Sequence, residues 1–392
     1  MNLYKYEDIR VVHLEITEKC QASCPMCDRN IKGGALNPNL RLHELKLEDI
    51  QRILPPEFVK QLDKIYICGN FGDPIIATDT LEVFKYFREQ KKELTLGMNT
   101  NAGAQKPEWW RELAGVLGNW SYVKFGFDGL GDTNHLYRQG VNWDIAWENA
   151  MAFIDAGGKA HWDYLIFAHN EHQVEEAEAL SKEKGFTKFI SKKTGRFFST
   201  IRKTGKEEHQ AMNRKGEEQQ LLKKPKEVKY QNTATKDIIK LEEKHGSLEK
   251  YFDNVKIKCK VAAEKSMYLS AEGLILPCCW VAGSMYKFWQ KPGENQVWEL
   301  LQESGGKDVF DAKTHGVKAV LNNEYFTGRL VDAWSKPNTH LGKPMVCAQK
   351  CGEEFLLNQL VSPSILFPRN VCSYDLHLLQ HNTSNMTLVF LH

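Results

Sequence analysis

Three cysteines near the start of the chain, Cys20, Cys24 and Cys27, have the residue type and the spacing that metal chemistry needs. Because they share one short stretch, their thiolates can reach one point on a single loop. Three such thiolates can hold an iron–sulfur cluster by three corners and leave the fourth iron without a protein ligand. A zinc site is the alternative, although closed structural zinc takes four ligands and no obvious fourth lies nearby. The spacing therefore predicts a cluster with one iron open to a small molecule.

The composition narrows the class of protein. The 392 residues exceed the size at which a single core stops growing, so a large domain with a smaller one is expected. Hydrophobic residues make up 42% and charged residues 26%, as in ordinary globular proteins, and the net charge of +2 gives no general attraction to nucleic acid or to an anionic membrane. We find neither a secretory signal nor an apolar run that could span a bilayer, so we expect a cytoplasmic protein. In a reducing compartment, spaced cysteines indicate metal binding or catalysis rather than disulfides.

Strand and helix patterns alternate along the N-terminal half of the chain. Turn residues separate them, and strands that alternate with helices predict parallel units with right-handed connections. The expected fold is therefore an α/β protein with a partial (β/α)6 TIM-like barrel. In such barrels the chemistry lies on the loops that follow the strands, and Cys20 directly follows the first strand. The predicted strands are 12–16, 65–67, 94–96, 122–127, 164–167 and 188–190.

The periodicity of the sequence changes after residue 200 and suggests domain boundaries. We expect the barrel over 1–200, a charged and partly helical connector over 201–250 and a second, small domain over 251–355. Residues 356–392 are almost free of charge and have no clear period. We assign them no function.

The three-cysteine loop, placed after the first strand of a βα series, resembles the signature of the radical S-adenosylmethionine (SAM) enzymes. In that family SAM binds the open iron of a 4Fe–4S cluster, and an electron cleaves it to a 5′-deoxyadenosyl radical that abstracts hydrogen from the substrate. The resemblance implies an enzyme with SAM as cofactor and a reductant such as flavodoxin or ferredoxin. It also implies that Cys20, Cys24 and Cys27 are the cluster ligands and the catalytic centre.

The loops after the second and third strands also resemble this family. The run Cys68-Gly-Asn-Phe-Gly-Asp-Pro74 is similar to its Gly-Gly-Glu-Pro turn, whose backbone and acid meet the amino group of SAM. Gly72 and Asp73 are the matching residues; glycine permits close approach of the backbone, and an acid suits an ammonium. Asn101 ends a segment similar to the family's Thr-Asn-Gly and is a predicted SAM contact.

Further SAM contacts are implied around the fourth strand. Asp128 and Arg138 match a Ser-x-Asp-Gly…Arg pattern, in which Arg138 would pair with the SAM carboxylate, and a purely structural ion pair is the alternative. Gly126 stands where the family often has serine. Met26 stands where it often has an aromatic residue near the adenine, and a polarizable thioether can pack there.

A second set of cysteines lies in the C-terminal region. With the turn at Gly273 it resembles the auxiliary-cluster extension known as the SPASM or twitch domain, in its shorter form, so region 251–355 is expected to hold a second 4Fe–4S cluster. Structural zinc on the same four thiolates is the alternative. Cys279 could be the ligand in place of Cys278, although the spacing from Gly273 favours Cys278. The four implied ligands are Cys259, Cys278, Cys347 and Cys351.

The substrate is not fixed by these motifs. The resemblance implies either a ribosomally made peptide or a small molecule such as a nucleotide or cofactor precursor, with no membrane or nucleic-acid partner. The competing class is non-enzymatic: an iron–sulfur electron carrier, or a zinc-organised binding module that uses the Lys-rich connector. Cys68 ends a strand, where it is either a small core residue or a hydrogen-atom donor facing SAM.

Overall fold

The structure is a computed structural model that describes residues 3–199, 204–205, 208–232 and 234–353. Cys372 and the segment 356–392, to which no function was assigned, lie outside the described residues. Within the described part, no helix combines the length and the apolar character needed to cross a membrane.

Twelve strands and fifteen α-helices are seen in the described residues, and they alternate through the N-terminal half as predicted. The strands are β1 (Val11–Leu14), β2 (Lys64–Ile67), β3 (Thr95–Thr100), β4 (Tyr122–Gly126), β5 (Ala160–Ile166), β6 (Lys188–Lys193), β7 (Phe198–Ser199), β8 (Thr204–Gly205), β9 (Glu208–Met212), β10 (Glu218–Lys223), β11 (Ser266–Leu269) and β12 (Ile275–Leu276). The helices are α1 (Leu47–Ile53), α2 (Pro56–Gln61), α3 (Thr80–Gln90), α4 (Pro107–Leu117), α5 (Asn134–Tyr137), α6 (Trp143–Asp155), α7 (Val174–Glu183), α8 (Ala234–His245), α9 (Leu248–Asn254), α10 (Lys260–Glu264), α11 (Cys279–Met285), α12 (Gln296–Glu303), α13 (Ala312–Leu321), α14 (Leu330–Trp334) and α15 (Met345–Cys351).

Eight of these strands form one sheet in the order β12-β11-β1-β2-β3-β4-β5-β6. Neighbours from β11 through β6 pair in parallel, and only β12 runs antiparallel to its neighbour. All four residues of β1 are buried, as expected of a parallel strand covered on both faces. The prediction of an α/β fold with six parallel barrel strands is confirmed.

The C-terminal region contributes two strands to this same sheet, which differs from the separate small domain that we expected over 251–355. Residues of β11 pair with β1 in register, His13 opposite Tyr268 and Leu14 opposite Leu269. The buried side chains of β1, β11 and α13 belong to one continuous hydrophobic core. A smaller core joins α8, α9 and α15.

The connector over 201–250 contains a β-hairpin, β9–β10, as well as the expected helix α8. The hairpin has few apolar residues to reveal it, since only Ala211 and Leu222 are buried. Backbone hydrogen bonds hold it instead: Met212 N donates to Lys32 O (2.8 Å), and Ala168 N donates to Lys223 O (3.0 Å). The hairpin therefore spans from the cysteine loop to the loop after β5.

Candidate active site

The three N-terminal cysteines line one open cavity at the carboxyl ends of the barrel strands. The cavity has about 930 Å³ of empty space, including the part open to solvent. Residues from the loops after β2, β3 and β4 line it as well, since the carboxyl ends of parallel strands share one edge of the sheet. Of the predicted SAM contacts, Gly72, Asp73, Asn101, Asp128 and Arg138 are among the lining residues.

Backbone contacts fix the cysteine loop. Cys27 N donates to Cys24 O (3.1 Å), and Ala22 N lies 3.4 Å from the Cys20 sulfur. Burial raises the pKa of Cys27 to about 12, so its thiol keeps its proton unless a cation offsets the loss of water. A bound metal gives that compensation, because coordination deprotonates a thiol outright. The loop is thus suited to hold thiolates only together with metal.

The β9–β10 hairpin contacts the cysteine loop through two side chains. His209 Nε2 lies 3.1 Å from Pro25 O, and Arg214 Nε donates to Ser23 Oγ (2.9 Å). From the other side Arg196 Nη1 donates to Met26 O (2.6 Å). Met26 itself is buried but is not among the residues that line the cavity. Its contact with adenine stays a prediction.

Gly72 allows the loop after β2 to touch the backbone that leads to the cysteines. A Cβ atom at this position would lie 1.8 Å from Thr17 O. Asp73 N donates to Lys19 O (2.9 Å), next to Cys20. The glycine is therefore needed for the contact between two segments of the chain, whatever it does toward a ligand.

Asp73 joins the loops after β2 and β3. Its Oδ1 accepts from Thr100 Oγ1 (2.8 Å) and its Oδ2 from Asn101 N (2.8 Å), and the carboxylate also caps the turn at Ile75. Burial raises its pKa, and these hydrogen bonds oppose that rise. Asn101 in turn lies against the cysteine loop, with Nδ2 3.7 Å from the Cys20 sulfur. Both carboxylate oxygens of Asp73 already have protein donors.

Asp128 and Arg138 form a buried ion pair beside the cysteines, with Arg138 Nε 2.7 Å from Asp128 Oδ2. Asp128 Oδ1 accepts from Leu165 N (2.6 Å), which fixes the carboxylate on β5. The positive charge of Arg138 opposes the rise that burial causes in the pKa of the Cys24 thiol. A Cβ at Gly126 would lie 2.5 Å from Arg138 Nη2, so the guanidinium occupies the space that a side chain at this position would take.

A buried carboxyl group that sequence reasoning did not single out supports the loop after β2. Glu15, just past β1, accepts from Phe71 N (2.7 Å) and Gly72 N (3.3 Å), and Tyr268 of β11 donates to its other oxygen. Burial raises the pKa of Glu15 to about 7, more than its hydrogen bonds lower it. The available signal was an acid inside a predicted strand whose other residues, apart from His13, are apolar.

Charged side chains from β4, β5 and β6 line the opposite wall of the cavity, and these were also missed. Asp163 forms an ion pair with Lys192, and Lys124 lies nearby. For Lys124 the signal was again a charged residue inside a predicted strand, the run 122–127, whereas Asp163 and Lys192 lie just outside the predicted strands. Cys68 lines the cavity too, and its sulfur lies 3.3 Å from Asn99 Nδ2.

The four C-terminal cysteines share a second, smaller cavity. Cys259, Cys278, Cys347 and Cys351 line it, whereas Cys279 does not, and its empty space is about 380 Å³. Two of them lie four residues apart on α15 and so share one helix face. Within the described residues, no three His, Cys, Asp or Glu side chains gather tightly enough around one point to form a ready site for a single metal ion.

Comparisons with known proteins find partial similarity. No protein-family model matches the chain. FeMo cofactor biosynthesis protein NifB of Methanocaldococcus infernus is 27% identical over 109 residues, which cover 27% of this chain and 35% of that protein. The same protein of Methanocaldococcus jannaschii is 26% identical over 113 residues, which cover 28% and 37%. The chain thus matches little more than a third of the length of these curated relatives.

Among solved structures, the chain is similar to Streptococcus suis SuiB bound to S-adenosylmethionine, with a TM-score of 0.48 and 15% identity over 87% of this chain and 77% of that one. It is also similar to anSMEcpe with bound AdoMet and Cp18Cys peptide, with a TM-score of 0.48 and 13% identity over 85% and 87%. In this chain the parallel sheet and the position of the three-cysteine loop after β1 are as predicted.

Proposed function

We propose that the chain is a SAM-dependent radical enzyme whose reaction begins at Cys20, Cys24 and Cys27. One observation carries the proposal: the three thiols line a single open cavity together with the loops after β2, β3 and β4. Three sulfur donors on one short loop fit an iron–sulfur cluster, since soft thiolates favour iron–sulfur sites and three of them leave one iron open. When bound, the cluster supplies the electron that cleaves SAM to the radical that takes hydrogen from the substrate.

The residues of the chain position SAM and shield the reaction. Arg138, fixed by Asp128 and placed beside Cys24, suits the carboxylate of SAM because a guanidinium can donate two parallel hydrogen bonds. Asp73 already accepts from Thr100 and Asn101, so we assign it the task of holding the loops together. The amino group of SAM would then meet the backbone near Gly72, which lines the cavity.

The test is anaerobic reconstitution of the full chain with iron and sulfide, followed by reductant and SAM. We expect formation of 5′-deoxyadenosine and a change in the cluster spectrum when SAM is added. An iron–sulfur protein that shows neither effect would be an electron carrier, and a protein that binds zinc but no iron would be a binding module. Either result would overturn the proposal.

We also propose that the second cavity holds an auxiliary 4Fe–4S cluster. Four cysteines from three separate segments of the chain, two of them on α15, line this cavity, and four thiolates complete the ligation of such a cluster. Zinc on the same thiolates requires them all at about 2.3 Å from one ion. Metal analysis of a variant with Cys20, Cys24 and Cys27 changed to alanine distinguishes the two, since residual iron with sulfide supports the cluster and zinc contradicts it.

The substrate of the proposed reaction is a ribosomally made peptide or a small molecule such as a nucleotide or cofactor precursor, and the electron donor is a flavodoxin or ferredoxin. Incubation of the reconstituted protein with the product of a neighbouring short reading frame tests the peptide case. A mass change in the peptide that depends on SAM supports it. Turnover of a small molecule instead of the peptide supports a nucleotide or cofactor precursor as the substrate.

A further inference from the structure

A buried lysine faces the cavity without a polar partner among the residues that the structure describes. Lys124, in the middle of β4, is only 6% exposed and lines the cavity. Its ammonium lies 5.6 Å from the centre of the Tyr122 ring. It makes no hydrogen bond or ion pair with any residue that the structure describes.

The buried position of the Lys124 ammonium is energetically unfavourable when no ligand is bound. A buried ammonium without a paired anion loses its hydration and gains only a cation–π contact in return. Lys192, which lines the same cavity, differs from Lys124 because it forms an ion pair with Asp163. Removal of one partner from a buried pair is strongly destabilising, which shows how costly an uncompensated charge is. An anion that enters the cavity would supply the partner that Lys124 lacks.

Asp163 offers a second unused group on the same wall. Its Oδ2 pairs with Lys192, whereas its Oδ1 is buried and accepts no hydrogen bond from the described part of the chain. Among the described residues the wall therefore presents a cation and an acceptor without hydrogen-bond partners on neighbouring strands, with Asp163 opposite Gly126 and so diagonal to Lys124. A ligand that matches both has an anionic oxygen group next to an N–H or O–H donor.

The position of Lys124 separates it from the proposed SAM contacts. Residues two apart on a strand face the same side, so Lys124 lies one step deeper in the barrel than Gly126, against which Arg138 packs. On β3 the residue opposite Lys124 is Asn99, which contacts Cys68 rather than the cysteine loop. The lysine thus belongs to the inner part of the cavity.

We propose that Lys124 binds an anionic oxygen group of the substrate, a carboxylate or a phosphate, and that Asp163 accepts a hydrogen bond from a donor beside it. The proposal rests on the proposed function in that SAM occupies the outer part of the same cavity. It narrows the substrate to an acidic molecule or an acidic residue of a peptide.

The test measures binding of acetate and of inorganic phosphate to the reconstituted full chain by isothermal titration calorimetry, with and without SAM. We expect one of the two anions to bind and Lys124→Met to weaken it by about 10- to 100-fold, the range for one hydrogen bond to a charged group. Preference for acetate indicates a carboxylate substrate, and preference for phosphate a phosphorylated one. Lys64→Met is the matched control, because Lys64 lies over the same Tyr122 ring at 5.1 Å but does not line the cavity.

Thermal unfolding gives a readout that is independent of binding. A lysine retained for a ligand should leave the melting temperature of Lys124→Met unchanged or raised, whereas a clear fall would indicate a structural role and overturn the proposal. Equal anion binding by the wild type and Lys124→Met, or no binding by the wild type, would also overturn it. Competition between SAM and the anion, with weaker SAM binding in the variant, would assign Lys124 to SAM instead.

The two proposals fail separately. A wild-type chain that binds the anion through Lys124 but does not cleave SAM contradicts the proposed function alone. One that cleaves SAM but binds neither acetate nor phosphate contradicts this inference alone.

Discussion

Glycine and cysteine positions around the two cavities show how single residues decide the geometry. A Cβ added at Gly72 would clash with the backbone of Thr17 on the neighbouring segment, and one added at Gly126 would clash with the guanidinium of Arg138. The backbone contact therefore requires glycine at position 72. At position 126 a side chain would instead displace the guanidinium of Arg138 from its present place.

Gly72→Ala should destabilise the fold because its Cβ would lie 1.8 Å from Thr17 O and the backbone cannot yield cheaply. We expect a loss of at least about 2 kcal/mol in the free energy of unfolding, measured by urea denaturation, and weaker iron incorporation. Gly115→Ala is the control, since Gly115 lies inside α4 with open space around it and should gain about 0.5–1 kcal/mol. Equal stability of Gly72→Ala and the wild type would contradict the role of this contact.

The neighbouring residues Cys278 and Cys279 provide a test of the second cavity. Cys278 lines it with the other three thiols, whereas Cys279 is buried in the first turn of α11 and does not line it. Cys278→Ala should lose the metal of the second site, and Cys279→Ala should retain it, as measured by metal and sulfide analysis. Loss of this metal in Cys279→Ala together with its retention in Cys278→Ala would make Cys279 the ligand instead.

At the scale of elements, β1 organises the site through both of its neighbours. β2 carries the loop with Gly72, and β11 brings Tyr268 to Glu15. Tyr268 also accepts from Asn70 Nδ2 (3.2 Å), so one group of hydrogen bonds ties three strands beneath the cavity. Since β11 comes from the C-terminal region, that region helps to build the floor of the first site.

This group of hydrogen bonds makes the stability depend on pH. The pKa of Glu15 rises from 4.5 to about 7 on folding, so between these values the folded state binds more protons than the unfolded state. The contribution of the neutral acid to stability is therefore present at low pH and lost as the pH rises through 7. Glutamine at this position neither binds nor releases this proton. The free energy of unfolding of Glu15→Gln minus that of the wild type should therefore increase by about 3 kcal/mol between about pH 4 and pH 8.

Urea denaturation across this pH range measures the effect. Glu148→Gln, a change of an exposed acid on α6, is the control and should show no comparable divergence from the wild type. Parallel stability curves for Glu15→Gln and the wild type would mean that folding does not raise the pKa of Glu15.

At the scale of the whole molecule, the local patterns were read correctly and the long-range contacts were not. The six barrel strands follow from apolar periodicity, and the cysteine loop follows from spacing, because both are properties of neighbouring residues. The addition of β11 to β1 joins segments far apart in sequence, and no periodicity encodes it. The β9–β10 hairpin was missed because backbone hydrogen bonds, which any sequence can make, hold it in place.

The same distinction applies to the candidate site. The spacing from Gly273 favoured Cys278 over its neighbour Cys279, and in the structure Cys278 lines the second cavity with the other three cysteines. In contrast, Glu15 and Lys124 gain their meaning from burial, which depends on the strands that surround them. Charged residues inside predicted barrel strands are the signal that would have found them.

The central claim is that the loop of Cys20, Cys24 and Cys27 is the place where SAM is cleaved. The most direct measurement is formation of 5′-deoxyadenosine by reconstituted wild type, Cys24→Ala and Cys279→Ala, with reductant present. We expect product from the wild type and from Cys279→Ala, whose changed residue lines neither cavity, and none from Cys24→Ala. Equal product from Cys24→Ala, or none from an iron-loaded wild type, would contradict the account.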